Sequence, residues 1–251
     1  MRRYGLRDDQ WDRIKGLLPG REGHVGGTAT DNRLFVEALL YRYRAGIPWR
    51  DLPARFGDWK NIHRRLRRCC ESGVTERIFR YLAAGHDNEY MMIDSAIVRA
   101  HQHSAGALKK GARNQAIGRS RGGLSTKIHA ICDALGNPVE INITPGQDAD
   151  ISQAEPMLEN IDPDAFLADK AYDADRLTDK LTECGITPVI SHKRNRMTRR
   201  ETDFALYRER NLVERFFNKL KQFHAIATRY DKMKSTFLAA VQFVSVIILL
   251  N

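Results

Sequence analysis

The sequence predicts an α/β protein, a sheet covered by helices, preceded by a small all-helical region of the helix-turn-helix type. Three observations predict it. Apolar residues recur at helical spacing through about the first 85 residues, and from about residue 86 short strand-like runs are interleaved with helical ones. The composition is that of an ordinary globular chain, with 42% hydrophobic and 29% charged residues, which excludes disorder, collagen and coiled coil. A length of 251 residues suggests one or two domains at roughly 150 residues each. The change of texture divides the chain into 1–85 and 86–251.

Taken in order, Trp11, Ile14, Leu17 and Leu18 mark a first helix that Pro19-Gly20 ends. Residues 21–30 are Gly-rich and read as a connector. Leu34, Phe35, Ala38, Leu39, Tyr41 and Tyr43 form a second amphipathic segment, stopped by Gly46-Ile47-Pro48. Residues 49–56, a Gly57-Asp58-Trp59 turn and residues 60–70 then match two short helices joined by a Gly-containing turn. The second of these carries Lys60, Arg64, Arg65, Arg67 and Arg68. It suits a recognition helix holding phosphates, or equally a solvated basic helix packed through Ile62, Leu66 and Cys69.

In the second region, residues 90–98 form an apolar run with one carboxylate, and residues 126–133 and 138–144 form a hairpin around Leu135-Gly136-Asn137. A helix is expected at 151–158, a buried strand at 165–169, a helix at 174–184 and a strand at 187–191. A basic loop follows, and then helices run to the end. The apolar run at 237–250 is broken by Gln242 and Ser245 and falls short of the ~18 residues a membrane span needs, so it reads as a buried helix.

The formal charge is +10 and the pI about 9.6, which makes nucleic acid the expected partner, ahead of an anionic membrane surface. With no apolar run near the start, and with Cys69, Cys70, Cys132 and Cys184 forming no C-x-x-C pair, a cytoplasmic setting is expected. Charge is partitioned: no acid stands between Asp94 and Asp133, where Arg99, Lys109, Lys110, Arg113, Arg119, Arg121 and Lys127 lie. A second basic block contains Lys193, Arg194, Arg196, Arg199 and Arg200. Two basic loops and a basic helix favour a polyphosphate track over a merely solvated face.

Three acids stand apart. Asp94 interrupts an apolar strand and Asp169 ends one; carboxylates near buried strands are costly unless paired or metal-bound. For either alone, capping a loop at the sheet edge is the plainer account. Glu214 shares one helical stripe, about 60° wide at about 100° per residue, with Tyr207, Arg210 and Lys221. Leu212, Val213, Phe216, Phe217, Leu220 and Phe223 form the opposite, core-facing side. A surface Arg–Glu pair accounts for Arg210 and Glu214 but not for Tyr207 and Lys221.

The pattern Tyr207-x-x-Arg210-x-x-x-Glu214 followed by Lys221 resembles the Y(2)R(3)E(6)K signature of bacterial insertion-sequence DDE transposases. Further stretches are similar to the insertion-sequence-five family. They are Ile93-Asp94-Ser95 with the residues from Val98 to His103, Gly118 to His129, Asp169-Lys170-Ala171-Tyr172-Asp173, and Val213-Glu214-Arg215 with Ile226 to Lys232. The resemblance covers nearly the whole chain. It implies an RNase H-like core with the first Asp on the first strand, the second after the fourth strand and the Glu on a following helix.

It also implies a catalytic, metal-holding trio of Asp94, Asp169 and Glu214, and two Mg²⁺ ions for which Mn²⁺ would substitute. Hard cations of this kind prefer carboxylate oxygen, and a pair stabilises both oxygens of an in-line phosphoryl displacement. The implied partners are double-stranded DNA, as element ends and target, and a second copy of the chain in a synaptic dimer. DNA contacts are expected from Lys60, Arg64, Arg65, Arg67, Arg68, Arg99, Arg119, Arg121, Lys127, Lys193, Arg194, Tyr207, Arg210 and Lys221. His101-Gln102-His103 lacks further ligands at zinc spacing, and residues 118–127 are not a Walker A motif. Two rivals remain: a metal-dependent nuclease without strand transfer, and a DNA-binding regulator without catalysis.

Overall fold

The computed structural model describes residues 5–21, 27–105, 115–196 and 201–251. Lys109, Lys110, Arg113, Arg199 and Arg200, and part of the Gly-rich connector, lie outside the described residues. Four helices come first: α1 (Asp8–Ile14), α2 (Asn32–Ala45), α3 (Trp59–Glu71) and α4 (Val74–Ala83). Asp31 caps α2 by accepting from the Leu34 amide at 2.8 Å, and Gly46, at φ 68°, ends it in the left-handed region that glycine enters without penalty. Residues 49–56, expected as one helix, form two separate 3₁₀ turns, Trp49–Asp51 and Ala54–Phe56. Pro53 separates them, because it lacks an N–H and keeps the residue before it out of the helical region. The basic α3 follows as expected, capped by Asp58.

Among the described residues seven strands form one sheet: β1 (Tyr90–Ala100), β2 (Gly118–Ser120), β3 (Gly123–Cys132), β4 (Pro138–Pro145), β5 (Ala165–Ala168), β6 (Thr187–Ile190) and β7 (Thr228–Arg229). The long strands lie in the order β4-β3-β1-β5-β6, with β1, β3 and β4 antiparallel and β1, β5 and β6 parallel. This is a mixed RNase H-like sheet. The two shortest strands only extend it, β2 along β3 and β7 along the end of β1. With three-residue β2 set aside, β5 is the fourth strand in chain order.

Helices cover both faces. Met91, Ile93, Ile131 and Phe166 pack against α5 (Ile151–Leu158) and α6 (Asp175–Glu183). Met92, Ala96, Val98, Ile128 and Ala130 face the other way, as alternation along a strand requires. There they meet α8 (Asn211–Lys221), which follows the short α7 (Phe204–Tyr207), and α10 (Lys234–Leu249), which follows the short α9 (His224–Ala227). Helix α10 contains the apolar run and packs against α2, α3, α4, α8 and β4. It thereby joins the N-terminal helices to the sheet in one continuous apolar core. Among the described residues no helix is long and apolar enough to cross a membrane.

Candidate active site

Asp94 sits mid-way along β1, on the face that carries Met92 and Ala96, and so points towards α8. Its own strand holds it: the Ser95 amide donates to Asp94 Oδ1 at 2.7 Å. The neighbouring parallel strand β5 pairs Ala168 with Ile93, which sets Asp169, the next residue, at the level of Asp94. Asp169 accepts from the Ala171 amide at 2.8 Å and thereby starts the single turn that follows β5. Glu214 lies in the first turn of α8, with its side chain 56% exposed.

One guanidinium connects two of these acids. Arg210 donates from Nη1 to Asp94 Oδ2 and from Nη2 to Glu214 Oε1, each at 2.8 Å. The first of these bonds links residues 116 positions apart. The Arg210 side chain is itself largely buried and lies beside the Tyr207 ring. Burial opposes its charge, but Asp94 and Glu214 outweigh that and hold the guanidinium above its ordinary pKa. Asp94 moves the other way from a normal ion pair: burial raises its carboxyl pKa, and the nearby Asp169 adds to the effect, against the Ser95 amide and Arg210.

Tyr172 lies beneath this group, 1% exposed. Its hydroxyl has no hydrogen-bond partner, and burial, followed by the charges of Asp150, Asp94 and Asp169, pushes its pKa well up.

The donor set here is all carboxylate oxygen, which suits a hard divalent ion. Among the described residues no group of three or more His, Cys, Asp or Glu side chains is gathered to hold a metal. The Arg210 guanidinium lies between Asp94 and Glu214, bonded to both. The three acids fit such an ion in the chemistry of their donors, and Arg210 would have to release Asp94 and Glu214 for it to bind.

Behind β1, on the α5 face, a second polar group supports Ser95. The Ser95 hydroxyl donates to Asp150 Oδ1 at 2.7 Å, and Lys127 Nζ pairs with the same oxygen at 2.9 Å. Fully buried His129 lies 3.9 Å from it through Nδ1 and bonds Thr144 through Nε2. Burial holds the imidazole down at about 4, against the pull of Asp150. Sequence reasoning gave no role to Asp150, nor to Ser95 and Tyr172, although both of the latter lie in the stretches around Asp94 and Asp169 that carry the family resemblance.

The remaining candidates divide by the side they face. Lys60, Arg64, Arg67 and Arg68 are exposed on α3, Arg67 paired with Glu71 at 3.2 Å. Arg65 is turned inward instead, lying 4.1 Å over the Phe35 ring and bonded to the Pro19 carbonyl and Asn32. Lys127 is also turned inward, 8% exposed, with Nζ donating to the Asp148 carbonyl at 2.7 Å. Arg99, Arg119 and Arg121 are exposed together around a groove of about 640 Å³ with Gln147. Lys193 and Arg194 are exposed after β6, and Lys193 is tied to the Asp173 carbonyl at 2.9 Å. Lys221 is exposed at the end of α8, beyond Glu214.

Comparison with known proteins gives two family models. One, described as "Putative transposase of IS4/5 family", matches residues 6–79. The other, "Transposase DDE domain", matches residues 86–249. The chain is similar to "Uncharacterized protein y4sN" of Sinorhizobium fredii, at 53% identity over 110 residues, 43% of this chain and 88% of that protein. It is similar also to "Putative transposase for insertion sequence element IS6501" of Brucella ovis, at 38% identity over 120 residues, 47% of this chain and 92% of that protein. Among solved structures it is similar to a piggyBac transposase synaptic complex with hairpin DNA, with a TM-score of 0.42 at 13% identity over 75% of this chain and 48% of that one.

Proposed function

This chain belongs to the transposase DDE domain family, and on that premise we propose that it cleaves the ends of its own insertion sequence and joins the freed 3′-OH ends to target DNA. One observation carries the proposal. Arg210 bridges an aspartate on the first strand and a glutamate on a late helix, beside a second aspartate at the end of the parallel strand. Asp94, Asp169 and Glu214 would hold two Mg²⁺ ions, or Mn²⁺ in their place. When bound, these ions would polarise the scissile phosphate and lower the pKa of the attacking water.

The chain's own residues then have distinct tasks. The Ser95 amide fixes Asp94, and Asp150 fixes Ser95 through its hydroxyl. Arg210 keeps Asp94 and Glu214 close while their charges would otherwise repel, and would have to release both carboxylates for them to hold a metal ion. Lys221, two turns beyond Glu214 and so about 10 Å along the helix axis, contacts a phosphate flanking the cut. Arg99, Arg119 and Arg121 hold the backbone on one side, with Lys193 and Arg194 on another, while α3 meets the element end through Lys60, Arg64, Arg67 and Arg68. Residues 1–85 serve mainly to bind DNA and residues 86–251 to cut and join it, as a dimer that pairs two ends in the bacterial cytoplasm.

The test is a joining reaction. Linear DNA with a pre-formed 3′-OH element end, incubated with wild-type protein, target plasmid and Mg²⁺, should be covalently joined to the target. Protein that cuts element ends but never joins them is a metal-dependent nuclease, and the strand-transfer half of the proposal fails.

A further inference from the structure

Away from the carboxylates, a cavity of about 830 Å³ lies between the N-terminal helices and the far end of β1. His101, just past the strand, is seven residues beyond Asp94, roughly 23 Å at about 3.3 Å per residue. The volume falls within the roughly 300–1,000 Å³ typical of small-molecule sites. Its walls are aromatic. The Trp49 and His63 rings stand 5.1 Å apart on one side, and on the other His101 stacks on Tyr230 at 4.8 Å with 28° between the planes. Tyr230 and Met233, 43% and 48% exposed, form the open rim.

Its floor is polar and unsatisfied. Arg42 is 4% exposed, with its guanidinium 4.6 Å over the Trp49 ring. Its Nε and Nη1 have no hydrogen-bond partner, and neither has Oδ2 of the adjoining Asp231, 3.8 Å away. Buried donors and acceptors are rarely left in this state unless water or a ligand completes them. The Arg42 donors and the Asp231 acceptor, an ion pair too long for a hydrogen bond, match a planar ring that presents an acceptor beside a donor, as an unpaired thymine does with O4 and N3–H. A simple anion would meet the carboxylates of Asp231 and Glu71, and a purely apolar group would leave the floor unpaired. The basic side of α3, with Arg67 in the cavity wall itself, runs beside the opening and would carry the phosphates.

We propose that this cavity receives an unstacked nucleobase of DNA between the Trp49 and His101–Tyr230 walls, with Arg42 and Asp231 at the edge of the base. The proposal rests on the reading of this chain as a DNA-processing enzyme, but needs neither metal nor the three acids. Its test uses single-stranded oligothymidylate and an abasic oligonucleotide of equal length, which keeps the phosphates and lacks the bases. Binding of both is measured by fluorescence anisotropy in EDTA.

Wild-type protein should bind the thymidylate roughly 5- to 150-fold more tightly, the worth of one base stacked on an aromatic side chain. Tyr230→Ala should abolish most of that difference, and Tyr230→Phe, which keeps the ring, should retain it. Equal binding of the two oligonucleotides by wild-type protein, or an undiminished preference in Tyr230→Ala, overturns the pocket. Protein that joins element ends in Mg²⁺ yet shows no base preference overturns the pocket alone. Protein with the Tyr230-dependent preference but no cutting or joining upholds it and overturns the transposition reading instead.

Discussion

Arg210→Ala should cost the metal-free protein stability and increase what a divalent ion restores. Asp94 and Arg210 have side chains only 22% and 16% exposed. Removing one partner of a fully buried pair costs roughly 3–5 kcal/mol, because the other charge is left uncompensated. Partial exposure of this pair reduces that to about 2–3 kcal/mol, and the Glu214 arm, 56% exposed, adds less than about 1 kcal/mol. In a chain of this size each kcal/mol lowers the midpoint by about 2–4 °C, so the variant should melt about 4–16 °C below wild type in EDTA. Arg210→Lys should recover only part of this, since an ammonium lacks the fork that reaches two carboxylates. The assay is thermal unfolding followed by circular dichroism, without metal and in millimolar Mg²⁺. Mg²⁺ should raise the midpoint of Arg210→Ala more than that of wild type, because the ion no longer competes with the guanidinium. A metal-free midpoint equal to wild type would mean that the bridge is a solvated pair without structural weight, and would refute the reasoning.

Other consequences follow from the same contacts. Since burial raises the Asp94 carboxyl above its ordinary value, the charged form is disfavoured on folding, and its cost is felt as pH rises through the folded pKa. Asp94→Asn should lack this dependence, so the wild-type midpoint should rise relative to the variant's as pH falls through the carboxyl range, and pH-dependent thermal scans check this. His129 shows the opposite linkage for a base: with its folded value near 4, stability is intact above about 6.5 and declines by up to about 1.4 kcal/mol per pH unit as pH falls from there. His129→Gln should flatten that acid limb in urea titrations. Arg119→Ala combined with Arg121→Ala should reduce the salt slope of DNA binding by about 1.8 if each arginine meets one phosphate. Arg65→Ala and Lys127→Met, whose side chains are bonded inside the protein, should lower the melting midpoint and leave the salt slope alone.

Much of the fold was legible because the strands are apolar and bounded by turn residues. Five expected strands and the helix at Ile151–Leu158 appear within three residues of where periodicity puts them. The two- and three-residue strands β7 and β2 carry too little pattern to be read. Pro53 was the overlooked signal in residues 49–56. The stripe of Tyr207, Arg210 and Glu214 was readable as periodicity, although a 3₁₀ turn at Arg208–Arg210 interrupts the helix. Its contact with Asp94 was not readable, because nothing local specifies a pairing across 116 positions. Charge was the least informative guide. Arg65 and Arg64 are indistinguishable in sequence, yet one stacks on Phe35 and the other is exposed. Lys127 faces inward because Asp150, brought over by α5, lies beneath it.

The most direct test of the central claim compares Asp94→Asn, Asp169→Asn and Glu214→Gln with wild type, each shown to be folded. All are assayed for cleavage of a plasmid that carries the element's ends, in Mg²⁺ and again in Mn²⁺. The account predicts that wild type cuts at the ends and that each variant binds them without cutting in either metal. Cutting by any one of the three at the wild-type rate would remove that residue from the site and contradict the account.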